Sequence, residues 1–146
     1  MGSVNVDKLN KFLRGEIAAV ETYNMALEKV DPASPAHSIL EENRRSHEER
    51  ARLLREEILA LGGEPSTSSG AWGVWAKAIE GGAKIVGEKA TIAALEEGED
   101  HGLKEYKVMD DKDLDPKLRQ IITSQLLPQQ QQTHQRMSSL KKRLQA

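Results

Sequence analysis

Residues 95–106 read Leu95-Glu96-Glu97-Gly98-Glu99-Asp100-His101-Gly102-Leu103-Lys104-Glu105-Tyr106. Ile92, Leu95, Leu103 and Tyr106 fall on one side of an α-helix, and Glu96 and Glu99 interrupt that side. Burying a carboxylate costs several kcal/mol per ion unless a partner compensates it. The stretch therefore demands either a counter-charge or a ligand. It also has an earlier counterpart. Gly15-Glu16 followed by Tyr23 has the same Gly-Glu-x6-Tyr form as Gly98-Glu99 followed by Tyr106, 83 residues later.

The rest of the composition supports helices throughout. Aromatic residues are 3% of the chain, while Ala, Leu, Glu, Lys, Arg and Gln, which lose little rotamer freedom in a helix, are abundant. No segment shows the strict alternation of a half-buried strand, so the fold class is all-α. A length of 146 residues fits a single domain over 1–146 and buries roughly 68% of the surface its unfolded chain exposes. The 21 basic and 23 acidic residues form no block of one sign, which argues against nucleic acid and against an anionic membrane surface as partners. There is no cysteine, which excludes disulfides and thiolate metal sites. No apolar run is long enough to span a bilayer and the N-terminus lacks a signal peptide, so a cytoplasmic protein is expected.

The spacing predicts four long helices. Helix 1 covers 6–30 with an inward stripe of Leu9, Leu13, Glu16, Val20, Tyr23 and Leu27, and Asp31-Pro32 ends it. Ser34-Pro35 reads as an N-cap with proline at the first helical position of helix 2. Its stripe is Leu40, Asn43, His47, Ala51, Leu54, Ile58 and Leu61, and Gly62-Gly63 stops it. Glu41, Arg45, Glu48, Arg52 and Glu56 form a solvated, ion-paired outer face. Residues 64–84 are too many for a hairpin but enough to travel the length of a bundle. Trp72, Val74, Trp75 and Ile79 suggest a short extra helix there, with the tryptophans capping the apolar end of the bundle. Helix 3 covers 85–109, and Gly98 and Gly102, one turn apart, allow a neighbouring helix or an ion to come close. Asp115-Pro116 opens helix 4, which runs to 144 with a stripe of Leu127, Gln130, His134, Met137, Lys141 and Leu144. Pro128 is expected to kink it just before Gln130.

Each of the four helices thus carries polar groups on its inward face: Glu16, His47, Glu96 with Glu99, and Gln130 with His134. Glu16 and His47 lie at matching distances from the first turn, within roughly one helical turn of each other in depth. Glu96 levels with Gln130, and His134 lies about a turn deeper unless the 110–115 loop or the Pro128 kink absorbs the difference. Helices 1–2 and 3–4 read as two versions of one hairpin, with His47 and His134 paired at an offset of 87. Side chains lean towards the helix N-terminus, so Tyr23 and Tyr106 reach back towards the same site, where either could bind a ligand or relay an electron. His37 and His101 are expected at the surface, and Glu21, Glu97 and Asp100 point away from the seam.

Two arrangements satisfy such a seam. In one, Glu16, His47, Glu96, Glu99 and His134 ligate iron, manganese or zinc, with Tyr23, Tyr106 and Gln130 around the centre. In the other, Glu, His and Gln groups bond one another without metal, in a non-enzymatic structural or partner-binding bundle.

On Leu9-x3-Leu13-Arg14-Gly15-Glu16 to Tyr23, on His47 with Leu59-Ala60-Leu61-Gly62-Gly63-Glu64-Pro65, and on Glu96-x2-Glu99 to Tyr106, the chain resembles the ferritin-like superfamily. Within it, the chain is similar to the bacterial ferritin-like proteins known only as a domain of unknown function. The resemblance implies a ferritin-like four-helix bundle with a long crossover between helices 2 and 3, and a non-storage metal-binding protein with a stress-related or redox role. In di-iron relatives, helices 1 and 3 each give a Glu with a Tyr seven residues on, which maps onto Glu16 with Tyr23 and Glu99 with Tyr106. Helices 2 and 4 each give Glu-x-x-His; here the His positions are His47 and His134, but Arg44 and Gln131 stand where the bridging carboxylates belong. The chain stops after helix 4, without the fifth helix of cage-forming ferritins, so the resemblance implies no 24-subunit storage cage; a homodimer is compatible with it.

Overall fold

The computed structural model describes residues 2–70, 87–107 and 114–145. Four long helical rods form the bundle, and among the described residues there is no strand. They are α1 (Gly2–Lys29), α2 (Pro35–Ala60), α3 (Glu88–Lys107), and a composite rod of α4 (Pro116–Ile121), a π-helical turn (Ile122–Leu126) and α5 (Leu127–Gln145).

The helix ends follow from local chemistry. Ser34 Oγ accepts the Ala36 N–H at 3.2 Å ahead of Pro35, and Asp115 Oδ1 accepts the Lys117 N–H at 2.8 Å ahead of Pro116. After α2, Gly62 takes a left-handed φ of 76°, and the Gly63 N–H returns to the Ile58 carbonyl at 2.9 Å. That bond closes a Schellman-type cap of the kind glycine permits. The expected short helix with Trp72 and Trp75, and the ends of the third helix at 85–86 and 108–109, lie outside the described residues.

Two apolar clusters hold the rods together. One joins Leu9, Phe12 and Leu13 of α1 to Leu54 and Ile58 of α2, Tyr106 of α3, and Leu118, Ile122 and Leu126 of the composite rod. The other joins Tyr23, Ala26 and Val30 of α1 to Leu40 of α2, Ile92 and Leu95 of α3, and Met137 and Leu140 of α5. The start of α1 therefore meets the end of α3, so these two helices are antiparallel, while α2 and α3 run parallel. The end of α2 and the start of α3 therefore lie at opposite ends of the bundle, and residues 71–86 between them lie outside the described residues. The first residues after α2 set out along α1: Asn10 donates to the Glu64 carbonyl at 3.0 Å and accepts the Ser66 N–H at 2.7 Å, and Arg14 donates to Ser66 Oγ at 3.1 Å.

The fourth rod departs from the expected pattern. Its buried positions are Leu118, Ile122, Leu126, Gln130, Thr133, Met137 and Leu140. The first four are spaced four apart, which outruns a 3.6-residue period. The π turn absorbs the excess, with the Leu127 N–H bonding back to the Ile122 carbonyl. The distortion thus precedes Pro128, whose missing N–H and bulky ring disfavour a regular turn ahead of it. Leu126, Thr133 and Leu140 face inward with Gln130 and Met137, and Leu127, His134 and Lys141, expected on the stripe, sit at its edge.

Leu13 is 0% exposed in the first cluster and Leu59 is 57% exposed. Leu13→Ala is expected to lower the free energy of unfolding by about 2–5 kcal/mol, and Leu59→Ala to change it by less than about 0.5 kcal/mol, as read from urea denaturation midpoints.

Candidate functional site

A polar layer separates the two apolar clusters. Glu16 from α1, Asn43, His47 and Arg50 from α2, Glu99 from α3, and Gln130 and Thr133 from α5 are all buried there. Each helix supplies its group from the inward stripe, so the layer is a consequence of polar residues placed at apolar positions of the repeat.

Glu99 is the most completely bonded of them. Its Oε2 accepts from the Tyr23 hydroxyl at 2.6 Å and from His47 Nε2 at 2.6 Å. Its Oε1 accepts from Thr133 Oγ1 at 2.7 Å and from Gln130 Nε2 at 3.0 Å. A carboxylate offers about four lone-pair sites, and here four donors fill them. Gln130 also donates to the Glu99 main-chain carbonyl at 2.8 Å. That closeness depends on Gly102, where a Cβ would lie 2.8 Å from Gln130 Nε2.

His47 bridges the two carboxylates. Its Nδ1 lies 2.9 Å from Glu16 Oε1 and its Nε2 lies 2.6 Å from Glu99 Oε2, while its ring stacks on Tyr23 with centroids 5.4 Å apart. Burial and the nearby Arg50 guanidinium both disfavour a charged imidazole, but Glu99 and Glu16 together outweigh them and raise the His47 pKa above 6.5. A carboxylate oxygen at each ring nitrogen favours an imidazolium that donates on both sides, while Arg50 Nη2, 3.2 Å from Nε2, opposes it. Burial likewise opposes ionisation of Glu99, but His47, Arg50 and the Tyr23 hydroxyl prevail and bring its pKa down to about 2.

Arg50 is the cation the sequence reading missed. It is 0% exposed. Its guanidinium donates to Gln130 Oε1 through Nη1 and to Thr133 Oγ1 through Nη2 at 3.0 Å, and Nε stands 3.4 Å from Glu16 Oε2. Two carboxylates thus face two cationic groups. Asn43 completes the layer, donating to the Tyr23 hydroxyl at 3.0 Å and to the Thr133 carbonyl at 3.1 Å.

Of the groups proposed as ligands, Glu16, His47 and Glu99 converge, with Gln130 and Tyr23 bonded to them. Glu96 and His134 do not join them. They lie together at the edge of the α3–α5 seam, 3.9 Å apart, with Asp100 3.6 Å from the same His134 nitrogen. Within the regular turns of α5, Thr133 shares the inward face with Gln130 and Met137, and His134, one residue on, falls at its edge. The internal repeat also holds more strictly than expected. At the offset of 83, His47 corresponds to Gln130 and Arg50 to Thr133. Gln130 bonds Glu99 as His47 bonds Glu16, so the equivalent of His47 is Gln130 and not His134.

Tyr23 and Tyr106 are related in the same way, but only one is satisfied. Tyr23 bonds the Glu of the other hairpin. The Tyr106 hydroxyl approaches Glu16, the corresponding residue, closely enough for that carboxylate to act on it, yet makes no hydrogen bond of good geometry. Burial and the Glu16 charge raise its pKa well above 10, and its ring stacks on Phe12 at 4.9 Å. Tyr106 and Glu16 line a cavity of about 60 Å³ between α1 and α3, walled by small residues including Gly15, Ala19 and Gly98.

As a metal site this donor set does not fit. Both His47 nitrogens and every acceptor position of Glu99 are engaged by protein groups, and Arg50 is a fixed cation among them. Among the described residues no three His, Asp or Glu side chains are arranged to hold a metal ion.

Two outcomes follow from this balance. Arg50→Met leaves two buried carboxylates with one cation and is expected to cost about 3–5 kcal/mol in urea unfolding, whereas Arg52→Met on the outer face is expected to change little. The titrations set the second. Glu99, with a lowered folded pKa, stabilises fully above 4.5, and that contribution is lost as pH falls towards about 2. His47, with a raised folded pKa, stabilises fully below 6.5, and its contribution is lost as pH rises through the folded value. Unfolding midpoints measured from pH 3 to about 10 are expected to peak between these limits, and His47→Gln is expected to flatten the alkaline decline.

No helix among the described residues is long and apolar enough to cross a membrane. No curated protein and no solved structure matches the chain. A family profile described as a domain of unknown function (DUF2383) matches residues 4–112, which contain Glu16, Tyr23, His47, Arg50, Glu99 and Tyr106. The match covers well over half the chain, and the protein belongs to this family of unknown function.

Proposed function

We propose that the protein is a non-enzymatic helical bundle whose Glu16–His47–Glu99–Arg50 layer fixes helix register and pairing without a metal ion. The observation that supports this reading is the position of Arg50, a guanidinium bonded to Gln130 and Thr133 and standing 3.4 Å from Glu16. A polar layer of this kind penalises any axial slip. Moving one helix by a turn would strand a charge in an apolar cluster, at a cost of several kcal/mol. Such a bundle acts by presenting surfaces in fixed relation rather than by turning over a substrate. The resemblance to the ferritin-like superfamily, with which parallel second and third helices are consistent, supplies the competing reading, in which Glu16, His47 and Glu99 ligate iron, manganese or zinc in a redox or stress-related role.

Thermal melting of chelator-treated protein separates the two. With iron(II), manganese(II) or zinc(II) added, the melting temperature of wild type and of Glu16→Gln is expected to stay within about 1 °C of the metal-free value, because a species that does not bind the native state adds no stability. A metal-dependent rise in wild type that is absent in Glu16→Gln would overturn the proposal in favour of a metal centre.

A further inference from the structure

We infer that the cavity between α1 and α3 is a binding site for a small neutral molecule with an apolar body and one hydroxyl or amide group. The inference goes beyond the metal-free reading of the core. Two observations carry it. The cavity measures about 60 Å³, several times the roughly 10–15 Å³ that one water requires. Its lining includes Tyr106, whose hydroxyl is buried and unpartnered in a residue only 4% exposed.

The polar end of the cavity has one open donor and one acceptor with capacity to spare. Tyr106 offers its O–H. Glu16 Oε1 receives His47 at 2.9 Å, while Oε2 has only the long approaches of His47 Nδ1 and Arg50 Nε, each 3.4 Å, which leaves it room for a closer donor. Glu99, by contrast, is saturated. A hydroxyl or amide at this end would accept from Tyr106 and donate to Glu16, giving both a well-formed partner in place of their poorly aligned mutual approach. The walls select for the remainder of the ligand: Gly15, Ala18, Ala19, Leu95 and Gly98 give a narrow apolar surface.

Charge selects against ions. The carboxylates of Glu16 and Glu99 are matched by Arg50 and the His47 imidazolium, so an added cation or anion would enter unpaired. An anion would in addition meet Glu16 directly. Lys11 and Glu105, which also line the cavity, form an ion pair 3.4 Å apart from α1 to α3, and a surface pair of this kind opens at little cost. The volume admits about four or five non-hydrogen atoms, and a ligand of that size binds no tighter than a Kd on the order of 3 to 40 µM.

The test is a titration of the full chain by 1H–15N NMR with propionamide and 1-propanol, alongside propionate and n-propylammonium as charged probes of similar size. Saturable shifts are expected at the Gly15, Gly98 and Gly102 amides with the neutral probes and none with the charged ones. Tyr106→Phe, which removes only the unpartnered hydroxyl, is expected to melt no lower than wild type and to bind propionamide at least about fivefold more weakly, the loss of one hydrogen bond. Ala19→Leu, which fills the cavity, is expected to abolish the shifts. Shifts that grow linearly without saturation, that persist unchanged in Tyr106→Phe, or that appear equally with a charged probe would overturn the inference. None of these outcomes bears on the metal titration.

Discussion

Two carboxylates stand in the middle of this bundle, and the four helices are arranged so that each is answered. Glu99 is answered by hydrogen bonds from Tyr23, His47, Gln130 and Thr133, which come from three different helices. Glu16 is answered by the His47 imidazole and, more distantly, by Arg50. A single unpaired carboxylate at this depth would cost several kcal/mol, a large fraction of the stability of a domain this size. The positions of α1, α2, α3 and α5 are therefore tied to one another through that layer, and the apolar clusters on either side fill in around it.

The layer also explains an asymmetry within the internal repeat. The two hairpins share Gly-Glu-x6-Tyr and correspond at an offset of 83, but the first carries His47 and Arg50 where the second carries Gln130 and Thr133. Both cations thus come from α2, and both serve carboxylates from α1 and α3. A symmetric core with two such cation pairs would be overcharged for two carboxylates. Neutral Gln130 and Thr133 instead act as relays, each bonded to Arg50 on one side and Glu99 on the other. The same asymmetry leaves Tyr106 without the hydrogen bond that its counterpart Tyr23 makes, and the cavity opens at that point.

Much of this was legible in the residues. The caps at Ser34-Pro35 and Asp115-Pro116, the long crossover, and Glu16, His47, Glu99 and Gln130 on inward faces all follow from period and local chemistry. Arg50 did not, because an arginine between Glu49 and Arg52 resembles the outer ion-paired face. Its signal was its place three residues after His47 and four before Leu54, on the stripe itself. His134 was placed on the wrong side for a different reason. Gln130 and Met137 are flanked by two columns, Thr133 with Leu140 and His134 with Lys141, and apolar Leu140 marks the buried one. The unbroken four-residue spacing of Leu118, Ile122, Leu126 and Gln130 is the visible sign of the π turn at Ile122–Leu126.

The protonation of His47 tests the account most directly, since two buried carboxylates and one guanidinium are in balance only if the imidazole is charged. A long-range 1H–15N spectrum of the metal-free protein at neutral pH is predicted to show both ring nitrogens of His47 protonated and in slow exchange with solvent. A neutral ring, with one bare nitrogen that shifts on addition of zinc(II), would contradict the charge-balanced core and return the site to metal chemistry.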